Sequence, residues 1–283
     1  MATTTISKNI PVPKKRSHGF TIMTRTILNS KTPLAAGCFY GLLFVILLAA
    51  IYPAISQAHI NGYLESSIIS GIAGGHINNF AGFTAFLGIE IYSSIYGLLF
   101  GGIIAYIGGA AIPATIENGT LDLALSRPIS RTRYYLECWV ATLICGVIIG
   151  LLIVLGVWID TFIIKDAGIN WQWLWITQFV QWAFLFFAAG LGMLLGSFIN
   201  ASRAAGGAAV GIVVLGYLMN TFGLLTDKLN WLLKIEPFYY APGIDPLVNH
   251  QLTWWYPWVL VVAGLILGIA GLVAFNRRDF PAV

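Results

Sequence analysis

The chain reads as an all-α integral membrane protein with six transmembrane helices. Of its 283 residues, 58% are hydrophobic and only 9% charged, and the mean hydropathy is +0.82. Soluble globular chains run at about 45–50% apolar and about 25% charged residues, so this one lacks the polar surface to cover itself in water. Its apolar residues also fall into six runs, each near the roughly 20 residues that a helix needs to cross the hydrocarbon core. That leaves short loops and no room for a large soluble domain.

The runs lie at 33–55, 91–114, 135–159, 173–199, 204–225 and 254–275, dividing the chain into a leader, 1–32, and a six-span domain, 33–283. The first run is too long for the apolar core of a signal peptide and follows 32 residues of leader, so it reads as a span. Within the leader, residues 1–17 are polar, basic and Pro-containing, which suits a mobile tail. Residues 20–28 place Phe20, Met23 and Ile27 at helical spacing, with Thr21, Thr24 and Arg25 between them. This pattern predicts a short helix lying in the membrane interface, with a frayed tail as the alternative.

Residues 56–82 are nearly uncharged and carry Ile60, Leu64, Ile68 and Ile72 at near-helical spacing, which predicts packing against the outer membrane face. Residues 226–253 combine Pro237, Pro242 and Pro246 with the aromatic cluster Phe238, Tyr239 and Tyr240. Proline breaks helices and Tyr favours headgroup depth, so short, broken helices dipping into the outer leaflet are expected before span six. An ordinary extracellular loop is the alternative.

Fifteen Lys and Arg against 11 Asp and Glu give a net charge of +4, and the excess is one-sided. Twelve of the basic residues, among them Lys14, Arg25, Arg127, Arg131, Arg133, Arg203 and Arg278, fall on the side of the N-terminus, and only Lys165, Lys228 and Lys234 fall opposite. By the positive-inside rule both termini face the cytoplasm. The charge therefore serves topology rather than a nucleic-acid partner.

Several chemistries find no support. Cys38, Cys138 and Cys145 lie far apart in or beside apolar runs and read as small buried hydrophobes, not a disulfide or zinc framework. The sequence G-x-x-x-x-G-K-[ST] does not occur, so the chain does not hydrolyse ATP by that device. His18, His59, His76 and His250 lack metal-ligand spacing on one helix, and neither a metal site nor an enzymatic constellation is expected. Two carboxylates, Glu90 and Glu137, approach span ends and read as solvated or paired at the interface. The glycines at 190–196, spaced G-x-G-x-x-x-G, read as helix-packing material, as do Gly207 and Gly211.

The informative stretch is cytoplasmic and joins spans two and three: Glu117-Asn-Gly-Thr-Leu-Asp-Leu-Ala-Leu-Ser-Arg-Pro-Ile-Ser-Arg-Thr-Arg. Asn118 or Thr120 can cap a short helix whose Leu121 and Leu125 share a face, and Pro128 ends it. Such a helix is either a re-entry turn or a docking element for a soluble partner.

This string resembles the E-x-G-T-L-x-L-L-L-x-x-P-[VI]-S-R-x-R motif of type 2 ABC exporter permeases, the membrane subunits of ATP-binding-cassette exporters. Supporting similarities are Tyr52-Pro53, Glu236-Pro237-Phe238-Tyr239-Tyr240, Asp245-Pro246-Leu247 and the closing Arg277-Arg278-Asp279-Phe280. Where relatives carry two acidic residues before G-T-L, this chain has Ile116-Glu117-Asn118. The resemblance implies a permease dimer in the plasma membrane of a prokaryote. Each protomer would dock on a separate ABC ATPase, which holds ATP and magnesium, while this chain binds no cofactor. It assigns ATPase coupling to Glu117, Gly119, Thr120, Leu121, Asp122, Leu125, Arg127, Pro128 and Arg131. Leu121 and Leu125 would fill an apolar groove, and Glu117 and Asp122 would meet a basic rim. The closest subgroup exports drugs, antibiotics and peptide-like toxins.

Spans two and five combine glycines with aromatic and aliphatic side chains and carry no interior charge, so Gly97, Gly101, Gly211 and Phe222 are candidates for a transport path suited to a hydrophobic or amphiphilic substrate. A self-sufficient secondary transporter or channel is the alternative, and a membrane-embedded enzyme a third reading. The first of these would need buried charges or an inverted repeat.

Overall fold

Apolar runs of this length satisfy their own backbone only as helices, and six cross the molecule. In the computed structural model they are Lys31–Gln57 (span one), Phe83–Glu117 (span two), Arg131–Ile163 (span three), Trp171–Phe198 (span four), Ser202–Leu225 (span five) and Trp255–Arg277 (span six). The structure describes residues 21–57, 82–119, 129–164, 167–225 and 227–278, and no strand occurs among them. The polar tail, Phe20, the expected packing of Ile60, Leu64, Ile68 and Ile72, and residues 120–128 lie outside the described residues.

The leader helix expected at 20–28 is present as Thr21–Asn29. It packs on span three, where the amide of Met23 donates to Glu137 Oε2 at 3.3 Å and Thr26 lies against Cys138. The segment between spans five and six is broken as expected, into short helices Asn230–Leu233, Phe238–Tyr240 and Ile244–Leu247.

Spans two, three and four are more than half buried within the protein, whereas less than a third of spans one, five and six is covered. Span four is the centre and packs on spans two, three, five and six. Glycine makes this possible. A Cβ on Gly192 would strike the carbonyl of Ala105 and come within 2.8 Å of the Gly109 amide, and one on Gly190 would strike the Gly264 backbone. The 190–196 string therefore sets backbone-to-backbone contact with spans two and six, the close approach that small residues permit.

Helix ends carry their own signals. Ser130 caps span three by accepting the Arg133 amide at 3.2 Å, and Asn170 caps span four by accepting the amides of Gln172 and Trp173. Gly119, at φ 60°, ends span two in the left-handed conformation that glycine adopts without strain.

Two features depart from the sequence reading. Span two begins at Phe83 rather than at 91, and residues Gly88–Gly101 form a π-helix. There Gln181 of span four donates to the Tyr92 carbonyl at 3.1 Å, an acceptor from outside the helix's own ladder. Span three continues past 159 to Ile163 and so takes in Asp160, which is fully buried. Neither Asp160 carboxylate oxygen has a hydrogen-bond partner among the described residues. Asp160 thus lies within a span, as Glu90 and Glu137 do, but deeper from solvent than either.

Candidate functional site

The residues flanking the 120–128 segment are fastened on both sides, at the end of the molecule that carries the leader helix and Arg278. On the span-two side, Glu117 Oε1 accepts the amide of Ser202 at 2.9 Å, and its Oε2 accepts the Ser202 hydroxyl. Ser202 opens span five, whose first amides point outward without intrahelical partners, so the carboxylate both caps that helix and complements its dipole. Glu117 is therefore a tie between spans two and five rather than an uncommitted rim charge.

On the span-three side, Arg131 donates to the carbonyl of Arg278 at 2.8 Å. The Arg278 guanidinium in turn donates to the Ser197 carbonyl at 2.7 Å and to Asn200 Oδ1 at 2.5 Å. Ser197 lies in the last turn of span four, where a cation meets unsatisfied carbonyls and the negative end of the helix dipole. Thr115 and Tyr134 also meet through their hydroxyls at 2.8 Å, joining spans two and three directly. The residues flanking 120–128 thus join the ends of all five spans from two to six.

Of the coupling candidates, Glu117 and Arg131 make these contacts and Gly119 ends span two, while Thr120, Leu121, Asp122, Leu125, Arg127 and Pro128 lie outside the described residues. Ser202 carries no sequence signal, because a serine after an apolar run is common. Arg278 carries one only through the Arg277-Arg278-Asp279-Phe280 resemblance.

The four path candidates do not share a surface. Gly97 is buried, with its missing Cβ position 2.5 Å from the ring of Phe238, and Gly101 is buried in the same way against Phe184. Gly211 has no atom within 4 Å of its Cβ position, and Phe222 is 55% exposed, so these two lie on the uncovered face of span five.

Phe238 is the reason Gly97 is closed off. Its ring stands 4.7 Å from Phe184 and 5.6 Å from Tyr217, wedged among spans two, four and five. Glu236, only 2% exposed, fixes the turn behind it by accepting the amides of Phe238 at 2.6 Å and Tyr239 at 2.5 Å. Gln181 adds a second clip, reaching the Ala241 carbonyl at 3.4 Å while it holds Tyr92. Deeper in, Gln178 donates to the Tyr96 hydroxyl at 2.5 Å. The far end of the helix bundle is thus closed by an aromatic plug on a turn capped by Glu236.

Burial pushes the Glu236 carboxyl up to about 8, outweighing the two amides that favour its charged form. The folded protein then holds this proton more tightly than the unfolded chain, whose carboxyl titrates near 4.5. The resulting stability is complete below about pH 4.5 and declines as pH rises through about 8. In detergent, melting of the wild type is expected to fall over that window, and the slope should flatten in Glu236→Gln. Equal slopes in the two proteins would contradict this assignment.

Among the described residues no group of three or more His, Cys, Asp or Glu converges. His250 stacks on Trp173 with ring centroids 5.4 Å apart.

The arrangement is a helical membrane domain in which the residues flanking 120–128 are tied to spans two to six. A family model, ABC-2 family transporter protein, matches residues 24–280. The chain belongs to this family. It is accordingly a multi-span transmembrane subunit of the ABC-2 type, a family whose members work with an ABC ATPase. The comparison with curated proteins gives no match.

Proposed function

We propose that this ABC-2 protein is the permease of an exporter, working as a pair of protomers in the plasma membrane of a prokaryotic cell with both termini in the cytoplasm. Each protomer docks through residues 117–131 on a separate ATPase chain, which holds ATP and magnesium; the permease has no catalytic role and binds neither. The observation that carries this reading is the fastening of the residues that flank 120–128, Glu117 to span five and Arg131, through Arg278, to spans four and six. A partner pushing on that segment acts on a braced frame.

The second protomer packs against span five, a reading supported by the exposed residues Gly207, Ala208 and Gly211, a small-residue surface suited to close helix approach. Phe222 and Leu218 continue that surface, giving an apolar lining for a hydrophobic or amphiphilic substrate such as a drug, antibiotic or toxin-like molecule. Buried Asp160 favours the alternative of a self-sufficient, ion-coupled transporter.

One purification separates the two. Tagged protein drawn from its own cells in mild detergent is expected to bring an ABC ATPase with it in equal amount, and reconstituted export should stop when ATP is withheld. Export by the chain alone, driven by an ion gradient, would overturn the exporter reading.

A further inference from the structure

A cavity of about 490 Å³ opens between the leader helix and the first turns of span three. Its upper wall is polar: Ser130, Thr132 and Arg133, with Glu137 behind them. Arg133 is half exposed, and its Nε donates to Glu137 Oε1 at 2.9 Å. Glu137 is itself buried, and its other oxygen accepts the Met23 amide, so the guanidinium is held in direction by a carboxylate that also anchors the leader helix. Thr132 accepts from Asn276 of span six.

The lower wall is apolar, made by Met23, Leu136 and Val140. Below it the same side of span three continues as Val147, Leu151 and Leu155, each 42–46% exposed. At about 100° per residue these positions fall on one stripe along the helix. The cavity is therefore continuous with an apolar track running into the bilayer.

We propose that this cavity binds one anionic phospholipid, with its phosphate on Arg133 and one acyl chain along Leu136, Val140 and the stripe below. Three observations fix the occupant. A directed guanidinium matches phosphate oxygens by charge-assisted hydrogen bonds. Glu137 is the one carboxylate among the described lining residues, and Arg25 and Arg131 stand within two residues of lining positions beside Arg133, which favours an anionic headgroup over a zwitterionic one. The apolar floor leads to hydrocarbon rather than to water, so a soluble anion would leave half of the cavity unused. Bound there, the lipid would bridge the leader helix and span three and hold Met23 against Glu137.

The test uses the full chain in detergent, with mixed micelles of phosphatidylglycerol or phosphatidylcholine and, separately, glycerol 3-phosphate without chains. Melting is read by tryptophan fluorescence, and bound lipid is counted by native mass spectrometry. One phosphatidylglycerol should remain bound to the wild type and raise its melting temperature, with phosphatidylcholine giving a smaller shift. Arg133→Gln should bind phosphatidylglycerol at least about tenfold more weakly, as expected for loss of a charge-assisted contact. Val140→Trp, at an exposed position, should do the same by filling the chain track, and it keeps the test valid should Arg133→Gln fail to fold. Equal lipid retention in the wild type and Val140→Trp would overturn the proposal. So would a full shift from glycerol 3-phosphate, which would identify a soluble-phosphate site.

Discussion

A permease carrying Leu121→Asp is expected to reach the membrane folded and to lose its ATPase. Leu121 and Leu125 share the apolar face of the short helix expected before Pro128, the face expected to meet the ATPase. Truncating a buried anchor at an interface costs at least about 1–2 kcal/mol, and setting a carboxylate in an apolar groove costs more. Retention of the ATPase during purification should fall at least about tenfold, and transport-coupled ATP hydrolysis should disappear. Asp122→Asn, which alters a rim charge, should change retention by less than about threefold. Glu117→Gln separates the two roles assigned to that carboxylate: because both oxygens hold Ser202, it should lower the melting temperature more than it weakens ATPase binding. If Leu121→Asp keeps its ATPase and full activity, the segment is a turn between spans.

A side chain at Gly192 should disrupt the packing of span four on span two, the more so the larger it is. Its Cβ position coincides with backbone of span two, at Ala105 and Gly109, and backbone cannot swing aside as a flexible side chain can. Gly192→Ala should cost about 1–3 kcal/mol, the usual range for overpacking, even though alanine is the better helix former by about 1 kcal/mol. Gly192→Leu should give little folded protein. Gly207→Ala is the matched control, since no atom lies within 4 Å of its Cβ position. It should be neutral or slightly stabilising when unfolding is followed in detergent. Equal loss in Gly192→Ala and Gly207→Ala would mean that span four does not approach span two in this way.

The Gly192 contact also shows how far the sequence could be read. The spacing of Gly190, Gly192 and Gly196 marks a helix-packing face, but the same spacing logic applied to Gly207 and Gly211 points to a face that this protomer leaves uncovered. Periodicity identifies small surfaces without saying what meets them. Gly97 and Gly101 differ from Gly211 for the same reason: what fills the space beside them is Phe238 and Phe184, the first brought from more than a hundred residues away by the turn that Glu236 caps.

The π-helix at Gly88–Gly101 and the burial of Asp160 were equally out of reach. An apolar stretch has much the same composition in a π-helix as in an α-helix, and here an acceptor, the Tyr92 carbonyl, is taken up by Gln181 from another span. Asp160 stands where an apolar run meets a polar loop, and only the continuation of the helix through Ile163 carries it inside.

The number of spans, the leader helix, the broken segment before span six and the family were all determined by the sequence alone. Each depends on local quantities: the length of an apolar run, the spacing of side chains along one helix, the conformational limits of proline, or a contiguous motif. The tertiary structure alone decided which glycines touch backbone and which face outward, that Glu117 ties span two to span five, and that Phe238 closes the far end. Those facts depend on which distant segments share a neighbourhood. In a chain with so few charges, apolar packing has no directional preference that the sequence could announce in advance.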